Sequence, residues 1–248
     1  MSDPAPKPED PIRPLGRELT REDFTSVRMR QMVAEALKRD GMALMPEEAH
    51  RASLEAFRDS VPQGDGVWVL GYGSLMWNPA FHVSASAKAH CTGYHRRFCL
   101  TMSGGRGTPE LPGLMLGIDG GGALTGVAHR IAPEAVESEL AVLWNREMLT
   151  GAYDPAWVDL QIEGSGPARA LAFVVNRAHP RYEGALDEDA QVRRIATAAG
   201  GLGSNRDYLY RTVEHMRALG VEDETLFRLE ARVRAAAGDA NNTEETAR

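Results

Sequence analysis

Apolar residues recur with two different periods along the chain, and the period changes near residue 66. Between about residues 20 and 60, apolar residues such as Phe24 and Leu37 follow helical spacing, and Pro46 is placed to open a second helix. From residue 67 onward, short apolar runs between glycine- and proline-containing turns predict strands at 67–70, 87–92, 97–102, 114–118, 123–130 and 168–175. Helical spacing then predicts helices at about 133–149, 187–199, 206–219 and 223–237.

The order of these elements predicts the fold class and the division of the chain. Strands cluster early and helices late, which favours an α+β fold with a curved or closed sheet over a regularly alternating α/β fold. We expect a disordered or loosely attached arm at 1–18, a helical appendage at 19–65, one main domain at 66–237 and a polar tail at 238–248.

Composition and charge exclude several classes of protein. Of the 248 residues, 43% are hydrophobic and 25% charged, which is typical of a globular protein with one well-buried core. No apolar stretch approaches the roughly 18 residues of a membrane span, and the polar, proline-rich start lacks the apolar segment of a signal peptide. We therefore expect a cytoplasmic protein without membrane contact. A formal net charge of −7 argues against nucleic acid as a partner, because phosphate neutralisation needs a basic surface.

The cysteines and histidines indicate neither a disulfide nor a metal site. Cys91 and Cys99 lie in apolar stretches, and in a reducing compartment we expect both to be buried thiols. The chain has no CxxC pair and no HExxH motif, and its seven histidines are scattered. We therefore expect no metal and no other cofactor.

The first predicted strand runs directly into a glycine turn at 71–76. The six residues of this turn are Gly71, Tyr72, Gly73, Ser74, Leu75 and Met76. Glycines let a backbone approach a ligand closely and take positive φ, so the turn can present a row of N–H groups to a carboxylate or a developing oxyanion. The alternative is a tight turn whose tyrosine packs on the core.

Two known motifs resemble this turn without fitting it. A dinucleotide-binding loop needs a third glycine where Met76 stands, and the sequence WNP at 77–79 interrupts the helix that would hold the phosphates. A nucleophile elbow built on Ser74 also needs glycine at position 76. Ser74 is therefore not expected to be a nucleophile.

A helix predicted to begin at Pro133 leads to the second informative residue, Glu147. Proline suits the first helical turn, and Val136, Leu140 and Leu143 form the apolar stripe of this helix. At 100° per residue, Glu147 lies within about 20° of both Val136 and Leu140 on the helical wheel. A carboxylate therefore stands where the period requires an apolar side chain.

The position of Glu147 allows two interpretations. Partial burial would raise the pKa of Glu147 toward neutrality, which suits a group that acts first as a base and then as an acid. In that case we expect Glu147 to be poorly solvated and to face the 71–76 turn across a pocket. The alternative is that the helix frays after Trp144 and that Glu147 is merely solvated or paired with Arg146.

Two further segments carry polar residues that suit a binding site. The loop RGTPELPG at 106–113 contains Arg106, whose charge would either orient a zwitterionic substrate or simply hold the loop. The segment GGLGSN at 200–205 precedes the helix that contains Tyr208. It suits either anion binding at a helix N-terminus or a capped turn, and the capped turn is favoured.

Seven segments together resemble the ChaC family of glutathione-specific γ-glutamyl cyclotransferases. They are GYGSLMWNPAF (71–81), GYHRRFCL (93–100), RGTPELPG (106–113), GVAHRI (126–131), LWNRE (143–147), ALAFVVN (170–176) and GLGSNRDYL (201–209). They occur in family order and cover about residues 67–234. The combination is far more specific than any one of these motifs.

The resemblance implies a fold, an activity and a set of site residues. The implied fold is the γ-glutamyl cyclotransferase-like mixed β-barrel with surrounding helices. The implied activity converts glutathione, the expected small-molecule partner, to 5-oxoproline and Cys-Gly. By motif match, the 71–76 turn is implied to bind the γ-glutamyl group, Glu147 to be catalytic and Tyr208 to lie in the same pocket.

The resemblance does not cover the N-terminal residues or the assembly state of the protein. The first 60 or so residues exceed the shortest family members, and we expect that deletion of residues 1–60 leaves turnover largely intact. We also expect a monomer.

The mechanistic hypothesis is an intramolecular cyclisation. Glu147 takes a proton from the α-amino group of the γ-glutamyl residue, whose nitrogen attacks its own δ-carbonyl to close a five-membered lactam, and Glu147 then protonates the departing amine. Backbone N–H groups of residues 72–75 would hold the α-carboxylate or the oxyanion. The alternatives are a cyclotransferase for another γ-glutamyl amine or amino acid, and a non-catalytic γ-glutamyl-binding regulatory module.

Overall fold

The computed structural model describes residues 20–25, 27–39 and 43–239. The predicted arm at 1–18 lies outside the described residues, as does the predicted tail apart from Gly238 and Asp239. The helices are α1 Arg21–Thr25, α2 Val27–Arg39, α3 Glu47–Asp59, α4 Val136–Leu143, α5 Glu188–Thr197, α6 Asn205–Ala218 and α7 Glu224–Ala237. The strands are β1 Val67–Gly71, β2 Ala85–Met102, β3 Gly113–Ile131, β4 Tyr153–Ile162, β5 Gly166–Val175, β6 Ala199–Gly200 and β7 Gly203–Ser204.

Strands β1 to β5 form a closed barrel in the order β1-β3-β2-β4-β5. Antiparallel pairing joins β1 to β3, β3 to β2, β2 to β4 and β4 to β5. Parallel pairing between β1 and β5, with Trp68 opposite Ala170, closes the barrel. A barrel with both kinds of neighbour and with helices packed against it confirms the predicted α+β class and mixed barrel.

The two long strands β2 and β3 replace four short strands of the sequence-based prediction. Gly93 has a φ of 88°, and the register of β2 against β3 shifts beside it, between Thr92 and Tyr94. Gly121 and Gly122 have φ values of 96° and 78° within β3. Glycine adopts such angles without steric cost, so these residues bend the strands instead of ending them.

Strand β4 is missing from the sequence-based prediction. Its sequence YDPAWVDLQI contains a proline and two aspartates, residue types that are depleted in strands. The strand pairs with β5 along its whole length but with β2 only through residues 160–162. Pro155 therefore lies where β4 has a single strand neighbour, and a proline is tolerated at such a position.

Helices cover the barrel in two groups. Helices α1 to α4 and the barrel enclose one apolar cluster that contains Phe24, Phe57, Trp144 and Phe173. Helices α5 to α7 enclose a second cluster with the strand residue Phe98. Helices α1 to α3 lie in the region predicted to be helical, where α1 and α2 stand in place of one predicted helix, and apolar side chains of this region share a core with the barrel.

Short-range hydrogen bonds define the ends of the C-terminal helices. The side chains of Asp187, Ser204 and Asp223 each accept a hydrogen bond from an N–H group in the first turn of α5, α6 and α7. Helix α7 ends at Gly238, which has a left-handed φ of 77°. These residue types favour such caps on their own, which is why the sequence locates α5 to α7 to within one or two residues.

Both cysteines are free and buried, as predicted. Burial raises the pKa of both thiols, and it raises the pKa of Cys99 to about 12. Within the described ranges, no helix combines the length and the apolar character needed to cross a membrane. In the same ranges, no group of three or more His, Cys, Asp or Glu side chains is arranged to hold a metal ion.

Candidate active site

The segment that carries Glu147 is a π-helical turn and not a continuation of α4. A 3₁₀ turn at Pro133–Ala135 leads into α4, and π-helical residues Trp144–Met148 follow it. In a π-helix each N–H bonds to the fifth residue back, so successive side chains are spaced differently from those of an α-helix. Side chains beyond Leu143 therefore do not follow the 100° per residue that places Glu147 on the apolar stripe. Glu147 is nevertheless poorly solvated, with a side chain 15% exposed.

Helix α3 supports this π-helical turn from outside. His50 Nε2 donates a hydrogen bond of 3.1 Å to the backbone oxygen of Trp144. The indole N–H of Trp144 donates in turn to Ser53 Oγ at 3.2 Å, and the ring of Phe57 lies 5.3 Å from the Trp144 ring. These contacts hold a backbone conformation that is rare and frequently found at functional sites.

Arg146 connects Glu147 to the glycine turn. Its Nε donates to Glu147 Oε1 at 2.8 Å, and its Nη2 donates to Ser74 Oγ at 2.9 Å. Its Nη1 donates to the backbone oxygens of Asn78 and Pro79, at 2.6 and 2.9 Å. The side chain is 8% exposed. Because guanidinium is planar and rigid, these bonds fix the position of the carboxylate relative to the turn.

The Glu147 carboxylate is electrostatically suited to exchange a proton. Burial raises its pKa above the usual range, and the charge and hydrogen bond of Arg146 oppose that rise. Among the residues that the structure describes, Arg146 is the only hydrogen-bond donor to this carboxylate. The other carboxylate oxygen is therefore available to a substrate proton.

Three tyrosines share the surroundings of Glu147. Tyr72 and Tyr153 are buried, and their hydroxyl groups donate to backbone oxygens at 2.7 and 3.0 Å. Desolvation raises the pKa of Tyr72, Tyr153 and Tyr208, the last to about 12, and the negative charge of Glu147 acts in the same direction on all three. The Glu147 carboxyl group and the three tyrosine hydroxyl groups therefore lie in one poorly solvated region.

The glycine turn folds back tightly on its first residue. A Cβ atom on Gly71 would lie 3.0 Å from the backbone nitrogen of Met76, so a larger residue would push the turn open. The Met76 N–H donates to the Gly73 oxygen at 2.9 Å. Across residues 20–25, 27–39 and 43–239, the N–H groups of Gly73, Ser74 and Leu75 have no hydrogen-bond acceptor. These three groups remain available to an anion.

The buried side chains of Arg96 and His129 hold the turn independently of Arg146. The guanidinium of Arg96, 0% exposed, donates through Nε to the Tyr72 oxygen at 2.6 Å and through Nη1 to the α7 cap Asp223 at 3.2 Å. His129 Nε2 donates to the Leu75 oxygen at 2.9 Å. Burial lowers the pKa of His129, which keeps its ring neutral near neutral pH. The backbone of the turn is thus fixed from both sides.

Arg106 lies beside Tyr208 at the edge of this region. Its Cζ is 5.2 Å from the centre of the Tyr208 ring, and its Nη1 donates to the Ser204 oxygen at 3.2 Å. A Cβ atom on Gly200 would lie 2.4 Å from the Gly105 oxygen, so glycine is needed where the two loops meet. No carboxylate of the described chain forms an ion pair with Arg106. Ser204 caps α6, so the capped turn favoured from the sequence is present.

The family model described as ChaC-like protein matches residues 67–236. The chain belongs to this family. Among curated ChaC-like relatives, the glutathione-specific γ-glutamylcyclotransferase of Escherichia coli (strain K12) is 41% identical over 183 residues, covering 74% of this chain and 79% of the relative. Glutathione-specific γ-glutamylcyclotransferase 1 of Homo sapiens is 35% identical over 175 residues, covering 66% of this chain and 79% of the relative.

A solved structure shares the fold of this chain. The crystal structure of a yeast γ-glutamyl cyclotransferase specific to glutathione superposes with a TM-score of 0.62 at 22% identity, covering 68% of this chain and 96% of the yeast chain. The family match begins at residue 67, so helices α1 to α3 lie outside it.

The structure brings most of the predicted site residues together and adds two more. Glu147 and the 71–76 turn are joined through Arg146, Tyr208 lies in the same poorly solvated region, and Arg106 contacts the Tyr208 ring. The sequence assigns Arg146 no role in the site, because it enters only within the LWNRE motif and as an alternative pairing partner of Glu147. Sequence reasoning also misses Tyr153, which lies at the start of the unpredicted strand β4.

Proposed function

We propose that this chain is a glutathione-specific γ-glutamylcyclotransferase, an enzyme that releases 5-oxoproline and Cys-Gly from glutathione. The observation that carries the proposal is the state of Glu147, a poorly solvated carboxylate with a raised pKa that Arg146 connects to the glycine turn. The names of the relatives from Escherichia coli and Homo sapiens support the substrate. The two free thiols suit a reducing compartment, so we place the enzyme in the cytoplasm. We also propose that it acts as a monomer.

The proposed reaction needs one proton carrier and a folded substrate. The α-amino group of the γ-glutamyl residue attacks the δ-carbonyl carbon as a neutral amine, and Glu147 takes one of its two protons during the attack, so the lactam nitrogen keeps one. A C–N bond forms to close the lactam, the original amide C–N bond breaks, and Glu147 returns the proton to the departing cysteinyl nitrogen. A raised pKa suits both transfers, because the carboxyl group must be unprotonated first and protonated second. The nucleophile and the carbonyl belong to one molecule, so correct folding of the substrate supplies proximity.

Other residues supply the binding interactions in this proposal. The unbonded N–H groups of Gly73, Ser74 and Leu75 stabilise the α-carboxylate or the tetrahedral oxyanion. Arg106, which has no ion-pair partner among the described residues, attracts the glycyl carboxylate of glutathione, and Tyr208 holds the Arg106 side chain in place.

The experiment that tests this function is a product assay with the purified protein. Glutathione, γ-Glu-Ala and γ-glutamyl-lysine are each supplied as substrate, and 5-oxoproline and the released amine are quantified. We expect release from glutathione to be the fastest. Faster release from γ-Glu-Ala or γ-glutamyl-lysine would reassign the substrate, and calorimetric binding of glutathione without any product would replace catalysis by a binding role.

A further inference from the structure

Helix α1, which lies outside the family match, contacts the residue that holds Glu147. The Phe24 ring centre is 5.2 Å from the Cζ atom of Arg146. Phe24 is 6% exposed and belongs to the apolar cluster shared with α4 and the barrel. Oxygen acceptors occupy the edges of the Arg146 guanidinium. The Phe24 ring covers one of its faces and shields that face from water.

An ion pair with a buried carboxylate anchors α1 at this place. Arg21 Nε and Nη2 donate to the two carboxylate oxygens of Glu139, at 3.0 and 2.8 Å. Glu139 lies on α4, the helix that leads into the π-helical turn. A two-bond contact between arginine and carboxylate fixes orientation as well as distance, so α1 cannot shift along α4 without breaking it.

We propose that Phe24 and Arg21 are positioning residues for the Arg146–Glu147 pair, so that a helix outside the catalytic domain completes the active site. The proposal rests on the proposed function of that pair. It replaces the expectation that residues 1–60 are dispensable for turnover.

The contacts of the turn and of Glu147 determine which kinetic constant should change. Arg96 and His129 hold the backbone of the 71–76 turn without help from α1. Glu147 depends on Arg146 for its hydrogen bond within the described residues. Loss of the Phe24 contact should therefore disturb proton transfer more than substrate binding, and kcat should fall while KM changes little.

The first test compares alanine substitutions at two equally buried positions of the N-terminal segment. Phe24 on α1 and Leu37 on α2 are both 6% exposed. We expect Phe24→Ala to lower kcat about tenfold, because small displacements of a catalytic group reduce rates steeply. Phe24→Leu, which keeps apolar volume without the aromatic face, should give an intermediate kcat. Leu37→Ala should lower the unfolding temperature with kcat close to wild type at a temperature where all variants are folded.

The second test addresses the anchor. Arg21→Met keeps the aliphatic stem and removes the ion pair, and it should lower kcat in the same direction as Phe24→Ala. Glu22→Gln changes an exposed residue of the same helix and should have no effect. Equal losses of kcat in Phe24→Ala and Leu37→Ala, or an unchanged kcat in Phe24→Ala, would overturn the positioning role. An inactive wild-type protein would instead refute the proposed function, so the two failures are distinguishable.

Discussion

Glu139 and Glu147 are eight residues apart on one continuous helical segment, and both are removed from water, with side chains 1% and 15% exposed. Their acidities nevertheless shift in opposite directions. Burial alone would raise the pKa of Glu139, but hydrogen bonds from Arg21, the His82 N–H and Ser138 lower it to about 2. Burial raises the pKa of Glu147, and a single arginine only partly opposes it.

The number of hydrogen-bond donors, more than burial, decides whether each of these carboxylates stays ionised or can exchange a proton. The Glu139 oxygens accept hydrogen bonds from Nε and Nη2 of Arg21, from the backbone N–H of His82 and from the Ser138 hydroxyl group. The anion is therefore fully stabilised. Glu147 has one such bond within the described chain and stands beside tyrosines that donate elsewhere. Glu139 is therefore a fixed structural anion, and Glu147 is able to carry a proton.

The largest expected effect comes from Glu147→Gln, which keeps the shape of the side chain and removes its proton exchange. We expect the release of 5-oxoproline from glutathione to fall about 10³-fold, within the range of a lost general acid/base. The matched comparison is Glu139→Gln, assayed where it remains folded, which breaks the α1 anchor as Arg21→Met does and should cost far less rate than Glu147→Gln. Wild-type turnover in Glu147→Gln would end the assignment of Glu147 as the proton carrier.

The next effect tests Arg146, the one hydrogen-bond donor to Glu147 among the described residues. Arg146→Gln should lower kcat about 10²-fold, because the carboxylate loses its fixed position. Arg146 lowers the pKa of Glu147, so its removal should raise that pKa further and move the acidic limb of the kcat profile to higher pH. Arg146→Lys keeps the charge and should place the limb between the two. An acidic limb that moved to lower pH would contradict the electrostatic role.

A third prediction concerns stability at Glu139. Its pKa in the folded protein, about 2, lies below the usual 4.5, so the ionised form stabilises the fold above pH 4.5 and this contribution is lost as pH falls toward 2. Glu139→Gln should lower the free energy of unfolding by about 3 kcal/mol at neutral pH, which is what a pKa lowered from 4.5 to about 2 corresponds to. Denaturant unfolding across pH should show the difference from wild type shrinking in acid. Exposed Glu137→Gln on the same helix is the control and should show little change.

The smallest effect tests the donor count itself. Ser138→Ala removes one hydroxyl donor, 3.0 Å from Glu139 Oε1, and leaves the Arg21 bonds in place. We expect a loss of about 1 kcal/mol in the free energy of unfolding, typical of one hydrogen bond, with kcat unchanged. A loss as large as that of Glu139→Gln would mean that the arginine contributes nothing to the stability of the anion.

The sequence predicts those parts of the molecule that depend on short-range patterns. Helices α5 to α7 carry their own caps, and the 71–76 turn and Glu147 lie in recognisable motifs. The continuity of β2 and β3 is not predictable in the same way, because Gly93 and Gly121 have the same local signature whether they bend a strand or end it.

The other features that the sequence does not predict depend on contacts between distant parts of the chain. The π-helical turn that sets the direction of Glu147 is stabilised by His50 and Ser53 of α3, about ninety residues away in sequence. Strand β4 is specified by its pairing with β5 and not by its own composition. The central role of Arg146 depends on oxygens of residues 74–79, whose proximity follows from the closed barrel.

The buried cysteines have a consequence if the chain works on glutathione, as proposed above. Thiol–disulfide exchange proceeds through a thiolate that is accessible to its partner. Cys91 and Cys99 are both 0% exposed, and burial raises the pKa of both, so neither presents a reactive thiolate. Under the proposed function, the protein would therefore work in a mixture of reduced and oxidised glutathione without forming mixed disulfides through either cysteine.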